Sequence, residues 1–317
     1  MYKKLVLAAL AILAIVYGSY AQEYKNEFGF KSDNDAYLWY GQDRYYTNGL
    51  FIYFRRAINQ EKLKGNLEKV TYEISAGQKM YNPISGYRPD PSTHDRPFAA
   101  HLYGGLQANL FYKKESLLKI GINAGTVGPG ALGEDGQDLL HSIVGFYKVQ
   151  GWDYQIANDF AANANVQFAK LLHRSSDKVV DFTLDTYANV GTTYNGAGVG
   201  VVFRAGDINQ LFNSVHYNAA IGNKSKTEKL KKKEFYFYAK PQLNYIAYDA
   251  TVQGSLFNDN SPVTFGVKPL VFSQTLGFNY SSPRFTIDYS LIFLSKEIKS
   301  NAKAHQYGSI SMYYRFN

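Results

Sequence analysis

Apolar and polar residues alternate one for one along most of this chain. Tyr24, Phe28 and Phe30 are interleaved with Lys25, Glu27 and Lys31, and Val70, Tyr72, Ile74 and Ala76 with Thr71, Glu73 and Ser75. The same period returns in Phe160 to Phe168 and in Phe285, Ile287, Tyr289, Leu291 and Phe293. Successive side chains of a strand point to opposite faces, so this period predicts strands with one apolar and one polar face. Counted along the chain it gives about twelve, near 24–33, 46–57, 69–80, 97–112, 116–126, 159–171, 178–191, 198–207, 234–247, 268–280, 283–295 and 307–316.

A soluble sandwich alternates as well, and two features favour a barrel. Many spans run 10 to 14 residues, longer than the ~5–6 of ordinary globular strands and suited to tilted membrane strands of ~9–11. The last span puts Gly308, Ile310, Met312, Tyr314 and Phe316 on one face. It resembles the closing strand of bacterial outer-membrane proteins, with Asn317 following the aromatic. Such an edge is tolerated in a membrane only if it closes onto the first strand. The expected fold is all-β: a transmembrane antiparallel β-barrel of about 12 strands, an even number, with a short helix in an external loop. With the amino terminus in the periplasm, connections 34–45, 81–96, 127–158, 192–197, 248–267 and 296–306 fall outside the cell. Short turns such as 113–115 and 281–282 fall inside. Connection 208–233 breaks the rule, being long, basic and periplasmic. Either a strand is miscounted or the barrel carries an unusual inner loop.

Composition adds an address. Met1-Tyr-Lys-Lys, an apolar run from Leu5 to Tyr17 and small residues before Ala21 form a secretory signal peptide over residues 1–21, cleaved before Gln22. The run is too short for a spanning helix, which needs ~20 residues. Residues 22–317 are then one outer-membrane barrel domain. The chain has no Cys, which removes lipoprotein anchoring, disulfides and thiolate–metal chemistry. A mean hydropathy of −0.31 without a second long apolar run excludes a helical membrane bundle. The 28 Tyr and 21 Phe suit the aromatic girdles of a barrel. Much of the net charge of +8 comes from Lys224 to Lys233, a pattern typical of a solvated loop. Nucleic-acid binding would need interleaved aromatics or a known module, and neither is found.

Candidate chemistry gathers in the external connections. Gly121 to Gln155 breaks the alternation with a glycine-rich turn and a helix-compatible run, in which Gln137 and His141 share a helix face at four-residue spacing. The first loop offers Asn34, Asp35 and, further on, Arg44 and Thr47; the second offers Arg88, Asp90, His94, Asp95 and Arg96. A histidine can act as general base on water, and carboxylate and amide oxygens suit a hard cation such as Ca²⁺. Each element also has a plain reading: a polar turn for Asp33-Asn-Asp35, a structural role for His141. An EF-hand is rejected because Tyr37 occupies a ligand position. Gly196, Gly198 and Gly200 lack the βαβ context of a dinucleotide loop. No serine elbow or zinc-helix motif is present.

Taken together, Asn34-Asp35, Asp43-Arg-Tyr-Tyr-Thr47-Asn48-Gly49, Gly125-Thr-Val-Gly-Pro129-Gly, Gly136-Gln137 followed by His141, and Gly151-Trp-Asp-Tyr-Gln155 resemble the outer-membrane lipid A 3′-O-deacylase family (LpxR type). The motifs cover about residues 28–160. The resemblance implies a twelve-stranded barrel and Ca²⁺-dependent hydrolysis of the 3′-linked acyl ester of lipid A. It implies His141 as general base for water and Asp35 as the metal ligand. Asn34 and Thr47 would position metal, water or ester, with Gln137 in support. An acid associated with the segment after the histidine is absent, since Phe146, Tyr147 and Lys148 stand there; Glu134 or Asp135 could substitute. The implied setting is the bacterial outer membrane, with lipid A or lipopolysaccharide of the outer leaflet as partner and the enzyme as a monomer. The competing readings are a porin-like or structural barrel and an outer-membrane phospholipase.

Overall fold

The computed structural model describes residues 23–38, 44–145, 147–225 and 227–317, so the expected leader over residues 1–21 lies outside the described residues. Twelve strands form one closed sheet: β1 Asn26–Asn34, β2 Tyr45–Ala57, β3 Leu67–Asn82, β4 Ala99–Tyr112, β5 Ser116–Val127, β6 Asp159–Arg174, β7 Val180–Gly191, β8 Tyr194–Asp207, β9 Glu234–Asp249, β10 Leu270–Ser281, β11 Phe285–Leu294 and β12 His305–Phe316. Each pairs antiparallel with its sequence neighbours, and β12 closes onto β1 from Asn26↔Phe316 to Asn34↔Gly308. The expected spans agree within a few residues; β8 starts earlier and absorbs the Gly196–Gly200 run as strand backbone.

Alternation sorts the side chains. Phe28, Ile52, Ile74, Leu106, Ile122, Phe160, Leu243 and Phe278 are exposed on the outside, the lipid-facing band of a membrane barrel. Among the described residues no helix is long and apolar enough to cross a membrane. Many inward positions are polar and paired. Arg55 of β2 bridges Glu73 of β3 and Glu27 of β1, the latter at 2.9 Å. Arg315 of β12 reaches the same Glu27 at 2.8 Å, so one carboxylate ties the closing seam.

Connection 208–233 is an inner loop, and the strand count stands. Its first part folds back into the barrel from the periplasmic end. Leu211, Phe212, Tyr217 and Ala219 pack against the inward-facing Phe111, Leu117 and Ala169. Glu234 accepts from the Asn209 and Val215 amides at 3.1 and 2.9 Å and from the Ser214 hydroxyl at 2.8 Å. Lys69 donates to Asn213 at 3.0 Å and to the Ala219 carbonyl at 2.7 Å. A buried loop must find partners for its backbone polar groups, and these inward side chains supply them.

At the other end the connections are long. The β5–β6 connection carries helix α1, Gly133–Val144, and the β9–β10 connection carries one helical turn, α2, Ala250–Gln253. Tyr45 and the loop residues Val252, Val267, Ile298 and Ala302 form a small apolar cluster at this end.

Candidate functional site

The candidate site lies on the outside of the wall. Asn34 ends β1 in phase with the lipid-facing Phe28, because Lys31 and Asp33 line the lumen. Cross-strand pairing continues a single row: Gly308 of β12, Asn34 of β1, Asn48 of β2, Met80 of β3 and Ala100 of β4. With strands ~4.8 Å apart, Asn34 and Met80 are about 10 Å apart across this wall. A 3₁₀ turn, Asp35–Leu38, covers one end of the row: Tyr37 lies over Gly308, where a side chain would have its Cβ 2.7 Å from the Tyr37 Cβ. Helix α1 covers the other end. A Cβ at Gly136 would stand 2.5 Å from the Met80 Cε, and the Gln78 amide donates to the Ala131 and Leu132 carbonyls at the helix start.

Asn34, Asn48 and Thr47 form a connected polar group between these covers. The Asn34 amide donates to the Asn48 oxygen, and the Asn48 amide donates to the Thr47 hydroxyl at 3.4 Å. The Asn34 oxygen accepts from the Ala36 amide at 2.6 Å. Thr47 is the extra residue where the β2–β3 register shifts between Tyr46 and Asn48; such bulges re-aim side chains at barrel rims. Asp35 is buried and accepts from the Arg44 amide at 2.9 Å. The donors of this region are carboxylate, amide and hydroxyl oxygens, which are the atoms that a hard cation takes. Among the described residues no group of three or more His, Asp or Glu is arranged to hold a metal, so the fit to Ca²⁺ rests on one carboxylate assisted by neutral oxygens.

On α1, Gln137 and His141 are both buried, while Leu139 and Ile143 on the opposite side are exposed. His141 Nδ1 lies 2.7 Å from the Tyr147 carbonyl. A carbonyl only accepts, so Nδ1 carries the proton and Nε2 is the basic nitrogen. Gln137 accepts the Trp152 indole N–H at 2.9 Å. Trp152 is packed with Met80, Phe98, Ala100, Ala131 and Val149. That cluster fixes the helix to the wall, so Gln137 anchors the element that carries His141. Asn48, Tyr147 and Trp152 stood in or beside the sequence motifs without an assigned role.

Other candidates sit elsewhere. Asp95 accepts from the Tyr45 hydroxyl and the Ile84 amide, both at 2.8 Å; His94 contacts the Arg88 carbonyl at 2.8 Å. Arg96 turns into the lumen over the Tyr81 ring and donates to Thr251 at 2.9 Å. The second external loop is thus rim structure and does not join the outer-wall site. Glu134 and Asp135 are exposed in the first turn of α1 and make no hydrogen bond or ion pair with His141. Partial burial, with the charges of Asp138, Asp153 and Asp135, pushes the Glu134 carboxyl up. Asp43 and Phe146, which the motifs include or adjoin, lie outside the described residues.

Comparison with known proteins bears on this arrangement. One family model, described as outer membrane protein LpxR, matches residues 5–316. No curated protein sequence matches. Among solved structures, LpxR from Salmonella typhimurium aligns over 92% of this chain and 100% of its own, at 20% identity and a TM-score of 0.74. The translocator domain of the autotransporter NalP from Neisseria meningitidis aligns over 99% of this chain and 95% of its own, at 9% identity and a TM-score of 0.46. The first of these likenesses fixes the barrel fold, and the family match spans nearly the whole sequence. The chain belongs to the LpxR family of outer-membrane proteins and is a barrel of the bacterial outer membrane.

Proposed function

We propose that this protein is an outer-membrane hydrolase that removes the 3′-linked acyl chain from lipid A, using water activated by His141 and a bound Ca²⁺. One observation carries the reading. A buried histidine and an amide–amide–hydroxyl group share the lipid-facing side of the wall at the external end. An ester that reaches this surface belongs to a lipid of the outer leaflet. Membership in the LpxR family supports lipid A as that lipid.

The Tyr147 carbonyl holds the imidazole in the tautomer that leaves Nε2 able to take a proton from water. The hydroxide equivalent adds to the ester carbonyl, and the same nitrogen returns the proton to the departing sugar hydroxyl. The Asn34 side-chain N–H that does not reach Asn48 is a donor for the developing oxyanion, a role in which a donor is worth ~10²–10³ in rate. Asp35, with Asn34 and Thr47 oxygens, would hold the Ca²⁺, which when bound supplies Lewis-acid polarisation of the ester carbonyl. The porin-like alternative loses support because residues 208–222 fill the periplasmic end of the lumen.

The test is mass spectrometry of lipid A from cells with and without the protein, in Ca²⁺ or chelator. Loss of one 3′ acyl chain, abolished in His141→Ala and by chelation with phospholipids intact, is the expected result. Full activity in a folded His141→Ala barrel would overturn the assignment.

A further inference from the structure

The periplasmic girdle of the barrel carries cations that the outer-wall site does not use. Arg55 points inward to its two carboxylates, so Arg56 points to the membrane. There it is exposed beside its cross-strand partner Tyr72, itself 55% exposed. Lys170 follows the inward Ala169 on β6 and is exposed between Phe168 and Leu172 of the lipid face. Lys233 is exposed immediately before the inward Glu234 and the outward Phe235. Arg284, in the β10–β11 turn, donates to the Tyr24 hydroxyl at 3.1 Å, with its guanidinium 5.1 Å from the Tyr24 ring and 5.9 Å from that of Tyr314. None of the four makes an ion pair among the described residues.

Two other lysines of the run that ends at Lys233 differ in kind. Lys224 pairs with Glu61 at 3.0 Å and Lys231 with Asp207 at 2.8 Å, Asp207 closing β8 and the other three lying in periplasmic loops. Arg56, Lys170 and Lys233 instead neighbour exposed aromatic or apolar side chains, and Arg284 stands over the exposed Tyr314 and the buried Tyr24, each cation within about four residues of a periplasmic strand end. That is a band of ~10 Å along the membrane normal. Aromatic neighbours mark the boundary between acyl chain and headgroup. Uncompensated cations at that depth meet the phosphates of the inner leaflet, and a zwitterionic headgroup offsets its phosphate with its own ammonium.

We propose that Arg56, Lys170, Lys233 and Arg284 form a binding girdle for anionic phospholipid headgroups of the inner leaflet. Each cation strengthens the attraction on the order of fivefold. The proposal is independent of the reaction at the outer wall.

The test uses the full chain in nanodiscs of phosphatidylethanolamine and phosphatidylglycerol, transferred to detergent, with retained lipid counted by native mass spectrometry. The expected result is enrichment of phosphatidylglycerol that falls on the order of fivefold per cation removed in Arg284→Gln and further in R56Q/K170Q/K233Q/R284Q. At ~1 M salt, where screening acts within ~3 Å, the enrichment collapses. Lys62→Gln with Lys64→Gln, in the water-facing β2–β3 turn, leaves it unchanged. Absence of enrichment in the native protein overturns the proposal, as does enrichment that persists in the quadruple variant or follows Lys62 and Lys64. Heat-modifiable gel mobility reports the folded barrel; if the quadruple variant fails to fold, Lys170→Gln and Arg284→Gln singly decide the matter.

Discussion

Asn48 shows how much one residue in the wall can control. Its oxygen accepts from Asn34, and its amide donates to Thr47, so it sets both side chains that the sequence motifs single out. Asn48→Ala leaves the strand ladder intact and frees its two neighbours to rotate. The expected outcome is a 10–100-fold loss of deacylation, the usual cost of removing a supporting contact, with unfolding midpoint unchanged and partial recovery at high Ca²⁺. A rate measured in detergent across a Ca²⁺ series checks this; an unaltered rate at every concentration would refute the positioning role. The outer-wall location of this group was legible in principle, since Asn34 keeps the parity of Phe28 and Phe30. What the sequence could not supply was the cover. That α1 lies over Met80 depends on glycine contacts between elements more than fifty residues apart, and no local period records them.

The strands themselves were readable because a barrel imposes period two on every one of them, and their observed bounds follow it closely. The inner loop was read only as one of two alternatives, without its place inside the lumen. Residues 208–222 have no period, and their partners are inward polar positions such as Lys69 and Glu234 whose parity says only that they face the lumen. The same limit applies to the seam. Glu27 alternates like any polar strand residue, yet the structure makes it the shared partner of Arg55 and Arg315 on opposite sides of β1. It is 2% exposed. Breaking a buried pair by removing one partner costs about 3–5 kcal/mol, and here two arginines lose a partner at once. Glu27→Gln keeps the shape and removes the charge. The expected outcome is urea unfolding at a clearly lower midpoint, with the catalytic rate of the surviving folded fraction unchanged.

The whole molecule is a barrel closed at one end by a plug, residues 208–222 of the inner loop, with a polar chamber above it. A cavity of about 510 Å³, lined among others by Lys31, Asp33, Lys79, Arg96, Asp249 and Glu297, lies between the plug and the external loops. Glu297 belongs to the β11–β12 connection, and its carboxyl is pushed up to about 7, chiefly by burial and further by Asp249, with Arg96 opposing. A carboxyl raised above its ordinary value of ~4.5 binds its proton more tightly when folded, so its contribution to stability is complete below pH ~4.5 and is lost as pH rises through ~7. Thermal stability should therefore decline between pH 5 and 8 by an amount that Glu297→Gln removes; an identical decline in that variant would assign it to another group. Closure has a second consequence. The plug holds its place through apolar packing on Phe111, Leu117 and Ala169 and through Lys69 and Glu234. The strands on either side of the connection pair with each other directly, from Tyr194↔Asp249 to Asp207↔Phe235, so the ladder does not need the connection. Replacing residues 208–232 by a short glycine–serine linker should leave a heat-modifiable barrel that conducts ions in planar bilayers, where the native protein does not. Deacylation by the plugless barrel should persist, because the site sits outside the wall and at the opposite end. If conductance appears and activity is lost together, the lumen takes part in the reaction and the outer-wall reading fails.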